Sequence, residues 1–386
     1  MMKRKRSFDT LAIHAGQEPD PMTGAIMTPI YATSTYAQPE LGVNTGYEYA
    51  RVSNPTRTAL ETNLAALEGG EHAVAFASGM AAVSALMGLF SAGDHVVVSD
   101  NVYGGVYRAF EAIFRRFGLD FGWTGTSDLG ALEAAIRPST RLVYIETPTN
   151  PVMTVTDIAA ASEIAHRHHI PLLVDNTFMT PVFQRPLELG ADVVLHSTTK
   201  YLNGHSDSLG GVLVTNDAGM AEGLRFVHKT TGGLISPFEC FLVLRGTKTL
   251  AVRMRQHEKN GRAVAEFLSE RGQVQKTYYP GLRSHPGHEV HARQSSGFGA
   301  MVAFDLGSFE AARRFLNALE IFTLAESLGG VESLACHPAS MTHAAVPKEL
   351  RDALGVTEGL VRLSVGIEDA ADLLADLGQA LAAARC

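Results

Sequence analysis

The segment spanning residues 171–200 reads PLLVDNTFMTPVFQRPLELGADVVLHSTTK, and it decides how the rest of the chain is interpreted. It contains two short apolar runs, Pro171–Asp175 and Ala191–Ser197, that are typical of buried strands. Each run ends in side chains that carry chemistry, namely Asp175 and the sequence Ser-Thr-Thr-Lys200. In open α/β sheets, ligands bind outside the carboxyl ends of the strands. The segment therefore predicts both a fold class and a site.

The same alternation of apolar strands and helical segments extends on the N-terminal side to about Thr56. Strands are predicted at 71–77, 95–100 and 141–146, and helices at 56–68, 79–90, 106–117 and 157–168. Alternating elements of this kind indicate βαβ units and a mostly parallel sheet that is covered on both faces. The fold class is therefore predicted to be α/β.

The chain is predicted to divide into three parts. Residues 1–51 are polar and aperiodic but rich in Tyr, Pro and Gly, and we expect them to form an arm that lies on a neighbouring subunit. Residues 52–246 form the large α/β domain. Residues 247–386 form a smaller α+β domain, with helices expected at 247–270, 309–319 and 369–384 and strands at 274–279, 300–305 and 360–365.

Composition excludes several classes of protein. The 386 residues include 32 Lys and Arg against 40 Asp and Glu, a net charge of −8, which argues against nucleic acid as a partner. Cys240, Cys336 and Cys386 lack the spacing of a metal site and are too few for a disulfide scaffold. No run approaches the roughly 20 apolar residues of a membrane span. The basic start, MMKRKR, has no apolar segment after it, so we expect a solvated tail on a cytoplasmic protein.

A first candidate for ligand binding follows the strand predicted at 71–77. Ser78, Gly79 and Met80 connect that strand to a helix. The free N–H groups and the positive dipole end of a helix N-terminus suit a phosphate. Taken alone, the same residues also fit an ordinary tight turn between a strand and a helix.

Asp175 and Lys200 are two further candidates. An acid that ends a buried strand needs a partner, which is either a structural cation or a protonated ring nitrogen of a cofactor. A lysine directly after an apolar strand is unusual, and desolvation would lower its pKa and make its amine a nucleophile toward carbonyls. Ser197 and Thr199 occupy alternate positions, so both hydroxyls could contact one phosphate. A lysine at the surface beside a turn rich in Ser and Thr is the alternative.

These features together match the requirements of a pyridoxal 5′-phosphate (PLP) site. The cofactor needs a lysine, an acid at its pyridine nitrogen and a separate anchor for its phosphate. A nicotinamide-binding fold is disfavoured, because no Gly-x-Gly-x-x-Gly follows an early strand.

From His14 to its C-terminus, the chain resembles the Cys/Met-metabolism family of PLP enzymes, which have the aspartate-aminotransferase-like fold (PLP fold type I). The motifs that carry this resemblance are Tyr49-Ala-Arg51-Val-Ser-Asn-Pro-Thr, Ser78-Gly-Met80, Tyr103-Gly-Gly105, Glu146-Thr-Pro-Thr-Asn150-Pro, Val174-Asp-Asn-Thr-Phe178, His196-Ser-Thr-Thr-Lys200-Tyr-Leu-Asn-Gly-His205 and Arg362-Leu-Ser-Val-Gly366.

The resemblance implies a role for each matching residue. Lys200 carries the cofactor and later moves protons, and Tyr103 stacks on the ring and acts as a second catalytic residue. The other residues expected to bind the cofactor are Tyr49, Arg51, Gly79, Met80, Asp175, Thr177, Ser197 and Thr199, with Tyr49 and Arg51 reaching the phosphate in a neighbouring subunit. Those expected to bind the amino-acid substrate are Arg108, Asn150, Glu326, Ser327, Thr342 and Arg362. The resemblance and the N-terminal arm together predict a homotetramer of two catalytic dimers.

Two positions narrow the reaction within the family. Methionine γ-lyases carry a Cys where this chain has Gly105, and they lack an acid at the position of Glu326. A carboxylate there can meet the distal ammonium of cystathionine, and Arg108 can bind its distal carboxylate. The predicted activity is therefore cystathionine γ-lyase, with cystathionine γ-synthase or β-lyase as alternatives. Tyr107 stands near a place where the family more often has Thr or Asn, so the resemblance does not predict this wall of the pocket.

Two other classes remain open at this point. A non-catalytic relative that acts as a scaffold is disfavoured by the intact Lys200, Asp175, Tyr103 and Arg362, and a colourless purified protein would support it. An oxidoreductase is disfavoured by the missing glycine motif, and an assay of nicotinamide binding would decide that question.

Overall fold

A computed structural model describes residues 6–344 and 346–384 of the chain. The tail predicted for the first residues falls largely on 1–5 and lies outside the described residues, as do Ala345 and the last two positions of the predicted small domain. The described chain contains one seven-stranded and one five-stranded sheet, and helices accompany both.

The seven-stranded sheet is built from strands between residues 72 and 215. Its strands are β1 (His72–Phe76), β2 (His95–Ser99), β3 (Asp120–Thr124), β4 (Thr140–Glu146), β5 (Leu172–Asp175), β6 (Val193–Ser197) and β7 (Gly211–Thr215). In space they follow the order β1-β7-β6-β5-β4-β2-β3. Neighbours from β6 to β3 pair in parallel, whereas β7 runs antiparallel to both β1 and β6. The prediction of a mostly parallel sheet is therefore confirmed.

Helices surround this sheet and precede the second one. They are α1 (Phe8–His14), α2 (Pro55–Glu68), α3 (Gly79–Met87), α4 (Gly104–Ala112), α5 (Leu129–Ala134), α6 (Ile158–Arg167), α7 (Thr180–Phe183), α8 (Ala218–Thr231) and α9 (Pro237–Thr247), with short 3₁₀ turns at Phe114–Phe117 and Pro186–Leu189. Local sequence explains where several begin. The Asn54 side chain accepts the N–H groups of Thr56 and Arg57 at the start of α2, and Ser78 caps α3.

The five-stranded sheet uses the second half of the chain. Its strands are β8 (Lys276–Tyr278), β9 (Met301–Asp305), β10 (Thr323–Leu324), β11 (Leu334–Cys336) and β12 (Leu360–Ser364), in the order β10-β11-β12-β9-β8. The helices of this half are α10 (Leu250–Ser269), α11 (His288–Gln294), α12 (Phe309–Ala318), α13 (Lys348–Ala353) and α14 (Ala370–Ala383). Pairing is antiparallel except between β10 and β11. The change of sheet near α10 is consistent with the domain boundary at 246/247, which stays a prediction.

The predicted strands and helices agree with the structure to within a few residues, but some elements were missed. The elements that were not predicted are the strands β3, β7, β10 and β11 and the helices α1, α5, α7, α8, α9, α11 and α13. The helix expected at 106–117 instead begins at Gly104, ends at Ala112 and is followed by the first 3₁₀ turn. Residues 6–50 are irregular as expected, apart from the two-turn helix α1.

Two possible features are absent from the part of the chain that the structure describes. None of its helices is long and apolar enough to cross a membrane. None of its groups of His, Cys, Asp and Glu side chains is arranged to hold a metal ion.

Candidate active site

A cavity of about 370 Å³ opens at the carboxyl ends of the parallel strands. Most of the predicted site residues meet there. The cavity is lined by Ser78, Gly79, Met80, Val83, Tyr103, Val106, Glu146, Pro148, Asn150, Asp175, Thr177, Phe178, Leu195, Ser197, Thr199, Lys200, Leu209, Glu326, Ser327, Leu328, Thr342 and Arg362. Both halves of the chain contribute to this lining, so the cavity exists only in the folded molecule.

Lys200 lies three residues after the end of β6 and points its amine into the cavity. Its Nζ donates a hydrogen bond to the Ser327 hydroxyl at 2.8 Å. Burial and the nearby Arg362 lower the pKa of this amine to about 8, although Glu326 opposes them. The lower pKa increases the unprotonated fraction of the amine near neutral pH, and that form is the one that acts as a nucleophile or a base.

Asp175 ends β5 with its side chain in the same cavity. Its Oδ1 accepts hydrogen bonds from the hydroxyl of Thr177 at 2.6 Å and from the backbone N–H of Thr177 at 3.0 Å. Burial raises the pKa of this carboxyl, while the two bonds from Thr177 oppose the rise. The arrangement leaves Oδ2 for a cationic partner, because no hydrogen bond from the described residues engages it.

A cradle for an anion lies at the start of α3. The Ser78 side chain accepts the N–H of Ala81, while the N–H groups of Gly79 and Met80 at the first turn lack partners among the described residues. A Cβ atom on Gly79 would lie 3.1 Å from the Cβ of Ser197, so glycine permits this close approach. The strand end and the helix N-terminus thus form one concave surface.

Arg362 enters the cavity from β12 and is almost fully buried. Its Nη1 donates to the Asn150 side chain at 2.8 Å, and its Nη2 donates to the Ser327 carbonyl at 2.9 Å. Its Nε is buried without a hydrogen-bond partner among the described residues. Ser327 has a φ of +91°, which is uncommon for a residue other than glycine, and the bond from Arg362 helps to hold it there. A guanidinium held in this way suits a carboxylate ligand.

Three predicted residues line the cavity without contributing to the hydrogen bonds above. Tyr103 is the residue directly before α4 and is 43% exposed, so its ring is accessible from the cavity that it lines. Glu326 is exposed beside Ser327, and Thr342 lies in a turn that also lines the cavity. The Thr199 hydroxyl exchanges hydrogen bonds with the backbone of Gly210, and its expected role at the cofactor phosphate stays a prediction.

Three other predicted residues are not brought into the cavity. Tyr49 and Arg51 are exposed, and Arg51 donates to the carbonyl of Lys229 at 2.6 Å and contacts the Tyr49 ring. Arg108 is exposed on α4 and is absent from the lining of the cavity. Their roles in ligand binding stay predictions.

The structure also identifies two buried residues that were not singled out as site residues. Glu146 ends β4 directly beside Asp175, and its two oxygens accept backbone N–H groups. His343 follows Thr342 and bonds to the carbonyl of Asn150. The argument that selected Asp175, an acid at the end of a buried strand, would also have selected Glu146. No comparable signal in the sequence pointed to His343.

The residues in the cavity fit PLP, and the close packing of Gly79 on Ser197 offers a site for its phosphate. Lys200 would hold the aldehyde carbon, Asp175 the ring nitrogen, and the start of α3 with Ser197 the phosphate. The bound cofactor supplies an electron sink for substrate carbanions. The fold and this site together define a PLP-dependent enzyme.

Comparison with known proteins agrees. Residues 9–382 match the family described as Cys/Met metabolism PLP-dependent enzymes, and the chain belongs to that family. Cystathionine γ-lyase of Bacillus subtilis (strain 168) is 53% identical over 98% of this chain and 99% of the relative. Cystathionine β-lyase of Coxiella burnetii (strain RSA 493 / Nine Mile phase I) is 50% identical over 98% of both chains.

A solved structure gives the same result. Cystathionine γ-synthase from Xanthomonas oryzae pv. oryzae in complex with cystathionine superposes with a TM-score of 0.96 at 45% identity, over 98% of this chain and 99% of that one. The predicted PLP fold type I, the cofactor and the assignment as an enzyme are thereby confirmed. These relatives carry out three different reactions, so family membership alone leaves the reaction open.

Proposed function

We propose that this enzyme is a cystathionine γ-lyase. In the overall reaction, L-cystathionine and water give L-cysteine, 2-oxobutanoate and ammonia. The bond between Cγ and sulfur breaks, the sulfur leaves with cysteine, and the amino nitrogen leaves as ammonia. The reaction needs one base that removes protons from both Cα and Cβ. It also needs one group that binds the α-carboxylate and another that binds the distal amino-acid end of the substrate.

The observation that carries this proposal is the surroundings of the Lys200 amine. Burial lowers its pKa to about 8, and its only hydrogen bond among the described residues is the one to Ser327. Such an amine is free to accept a proton from Cα and then one from Cβ, as γ-elimination requires. Arg362 binds the α-carboxylate of the substrate, and Asn150 and Ser327 keep the guanidinium in position.

The far end of the pocket supports cystathionine as the substrate. Glu326 carries a carboxylate on the exposed rim, beside Ser327. Cystathionine carries an ammonium group at its distal end, whereas methionine and O-acyl-homoserines carry none there. The proposed roles of the remaining predicted residues, including Arg108 at the distal carboxylate, follow from the family resemblance.

The two alternative activities use much of the same site. A γ-synthase joins an O-acyl-homoserine to cysteine, and the Xanthomonas oryzae γ-synthase was solved with cystathionine bound. A β-lyase cleaves cystathionine on the other side of its sulfur and gives pyruvate. Because all three enzymes handle cystathionine, the identity of the product separates them.

We further propose a homotetramer located in the cytoplasm. The N-terminal arm leaves large apolar side chains in solvent, among them Met22 at 88%, Ile26 at 77% and Leu41 at 102% exposed. A neighbouring subunit would cover such a surface. Tyr49 and Arg51 lie further along the same arm. The family resemblance implies that these two residues contact the cofactor phosphate of a neighbouring subunit.

One substrate panel tests the proposed reaction. The purified enzyme receives cystathionine, methionine, cysteine, or an O-succinyl- or O-acetyl-homoserine with cysteine, and mass spectrometry follows 2-oxobutanoate, pyruvate and cystathionine. We expect 2-oxobutanoate from cystathionine to form fastest. Faster formation of pyruvate from cystathionine would indicate a β-lyase. Faster synthesis of cystathionine from an O-acyl-homoserine and cysteine would indicate a γ-synthase. Lys200→Ala provides the inactive control for each reaction.

A further inference from the structure

Asn150 is held from both sides by two buried residues. Glu146 Oε1 accepts the Asn150 backbone N–H at 2.8 Å, and the His343 ring lies 3.2 Å from the Asn150 carbonyl oxygen through Nε2. The exposed fractions are 5% for Glu146, 3% for Asn150 and 3% for His343. Both backbone polar groups of Asn150 are therefore engaged by side chains, one from four residues earlier and one from 193 residues later in the chain.

The chemistry of the His343 contact determines the tautomer. A carbonyl oxygen can only accept, so Nε2 carries the proton. Burial and the nearby Arg362 lower the pKa of His343 to about 4, and the ring is neutral at physiological pH. Nδ1 is then an acceptor, and the Thr342 hydroxyl donates to it at 2.9 Å. The same ring thus orients a residue of the cavity wall and the peptide of Asn150.

Glu146 has a similar double function. Its Oε2 accepts the backbone N–H of Tyr103 at 2.9 Å, while Oε1 serves Asn150. One carboxyl group therefore links the start of α4 to the loop after β4. Burial and the neighbouring Asp175 raise the pKa of Glu146 to about 8, and the two backbone N–H groups that it accepts oppose the rise.

Asn150 transmits this restraint to the substrate. Its Oδ1 accepts from Nη1 of Arg362 at 2.8 Å, which fixes one side of the guanidinium. A displacement of about 1 Å in such a group is enough to weaken binding and catalysis substantially.

We propose that Glu146 and His343 are positioning residues that fix the peptide of Asn150 and, through its side chain, aim Arg362 at the substrate α-carboxylate. The inference rests on the amino-acid site proposed above, but not on which amino acid is turned over.

Glycine is the probe, because it has an α-carboxylate and no side chain to eliminate. Isothermal titration calorimetry of the holoenzyme measures its Kd in His343→Ala, in His343→Gln and in Glu146→Gln. Loss of one hydrogen bond predicts a rise in the glycine Kd of about two- to tenfold, both in His343→Ala and in Glu146→Gln. His343→Gln, which keeps a donor and an acceptor, should recover part of the affinity.

The decisive comparison uses the Asn150→Ala background. If both residues act through Asn150, each substitution should change the glycine Kd less than twofold there. Full effects in that background, or an unchanged Kd in the single variants, would overturn the proposal. If cystathionine proves not to be a substrate while these Kd values follow the expected pattern, the proposed function fails and this inference stands.

Two matched controls separate positioning from general destabilisation. His291 is fully buried, donates to the Gly297 carbonyl at 3.0 Å and lies outside the cavity lining. Asp376 is a buried acid that accepts backbone N–H groups from Glu320, Ile321 and Phe322. His291→Gln and Asp376→Asn should lower the Tm and leave the glycine Kd unchanged. A rise in Kd in these controls equal to that in the test variants would also overturn the proposal.

Discussion

The substitution Glu326→Gln tests the proposed substrate most directly. It preserves the size of the side chain and removes its charge. Glu326 lies on the exposed rim of the cavity, next to Ser327. Cystathionine has a distal ammonium that this carboxylate can meet, whereas methionine has an uncharged tail. We therefore expect the substitution to impair cystathionine turnover more than methionine turnover.

The exposure of Glu326 determines the expected magnitude. An ion pair at an exposed position contributes about 0.2–1 kcal/mol. That range corresponds to a factor of roughly 1.4 to 5 in kcat/KM. Glu326 also raises the pKa of Lys200, so its removal affects the base for every substrate. Only the difference between the two substrates reports on the distal ammonium.

The assay compares kcat/KM for cystathionine and for methionine in the wild type and in Glu326→Gln. The specificity ratio should fall about 1.4- to 5-fold, and the fall should shrink at high salt, because screening weakens exposed charge pairs. Glu163→Gln removes an exposed charge on α6, away from the cavity lining, and should leave the ratio unchanged. Equal losses for both substrates would remove Glu326 from the distal site.

Four further predictions concern the cofactor and the assembly. Because the pKa of Lys200 is lowered to about 8, the rate at which PLP attaches covalently to the apoenzyme should rise with pH and level off slightly above pH 8. The attachment is followed by absorbance. A rate that continues to rise up to the pKa of an ordinary lysine side chain would contradict this prediction. Asp175→Asn should retain the fold, checked by circular dichroism, but lose most activity, since a neutral amide cannot hold the ring nitrogen protonated; kinetics within a few-fold of wild type would reject the assignment. Gly79→Ala would place a Cβ 3.1 Å from the Cβ of Ser197 and should weaken PLP binding in a fluorescence titration, with an unaltered Kd as the contrary result. Arg51→Ala and Lys200→Ala subunits, each nearly inactive alone, should regain partial activity when mixed and reassembled; hybrids that form but remain inactive would show that Arg51 does not serve a neighbour's site.

Local sequence predicted most of the secondary structure for physical reasons that act over short distances. The β-branched run at His95–Ser99 became β2, and the cap at Ser78 marks the start of α3. Strand β7 is a fully buried apolar run of the same kind as β2, so the sequence contained a signal for it although it was not predicted.

The chemistry of the site was also partly readable from the sequence. Asp175 and Lys200 lie at the ends of apolar runs in the sequence, and the rule that ligands bind at the carboxyl ends of parallel strands predicts that the two side chains share one site. The family resemblance then supplied Arg362, which no local pattern would have connected to Lys200.

The contacts that complete the site were decided by tertiary structure alone. Arg362 bonds to Asn150 across 212 positions, and His343 bonds to the same residue across 193. Periodicity in a sequence indicates which face of an element is buried, but it does not indicate which distant element covers that face. Hydrogen bonds between such elements depend on packing to within a few tenths of an ångström. For this reason Lys200 and Asp175 could be predicted as site residues from the sequence. The hydrogen bonds that Glu146 and His343 make to Asn150, and the exposed position of Arg108, are evident only in the folded molecule.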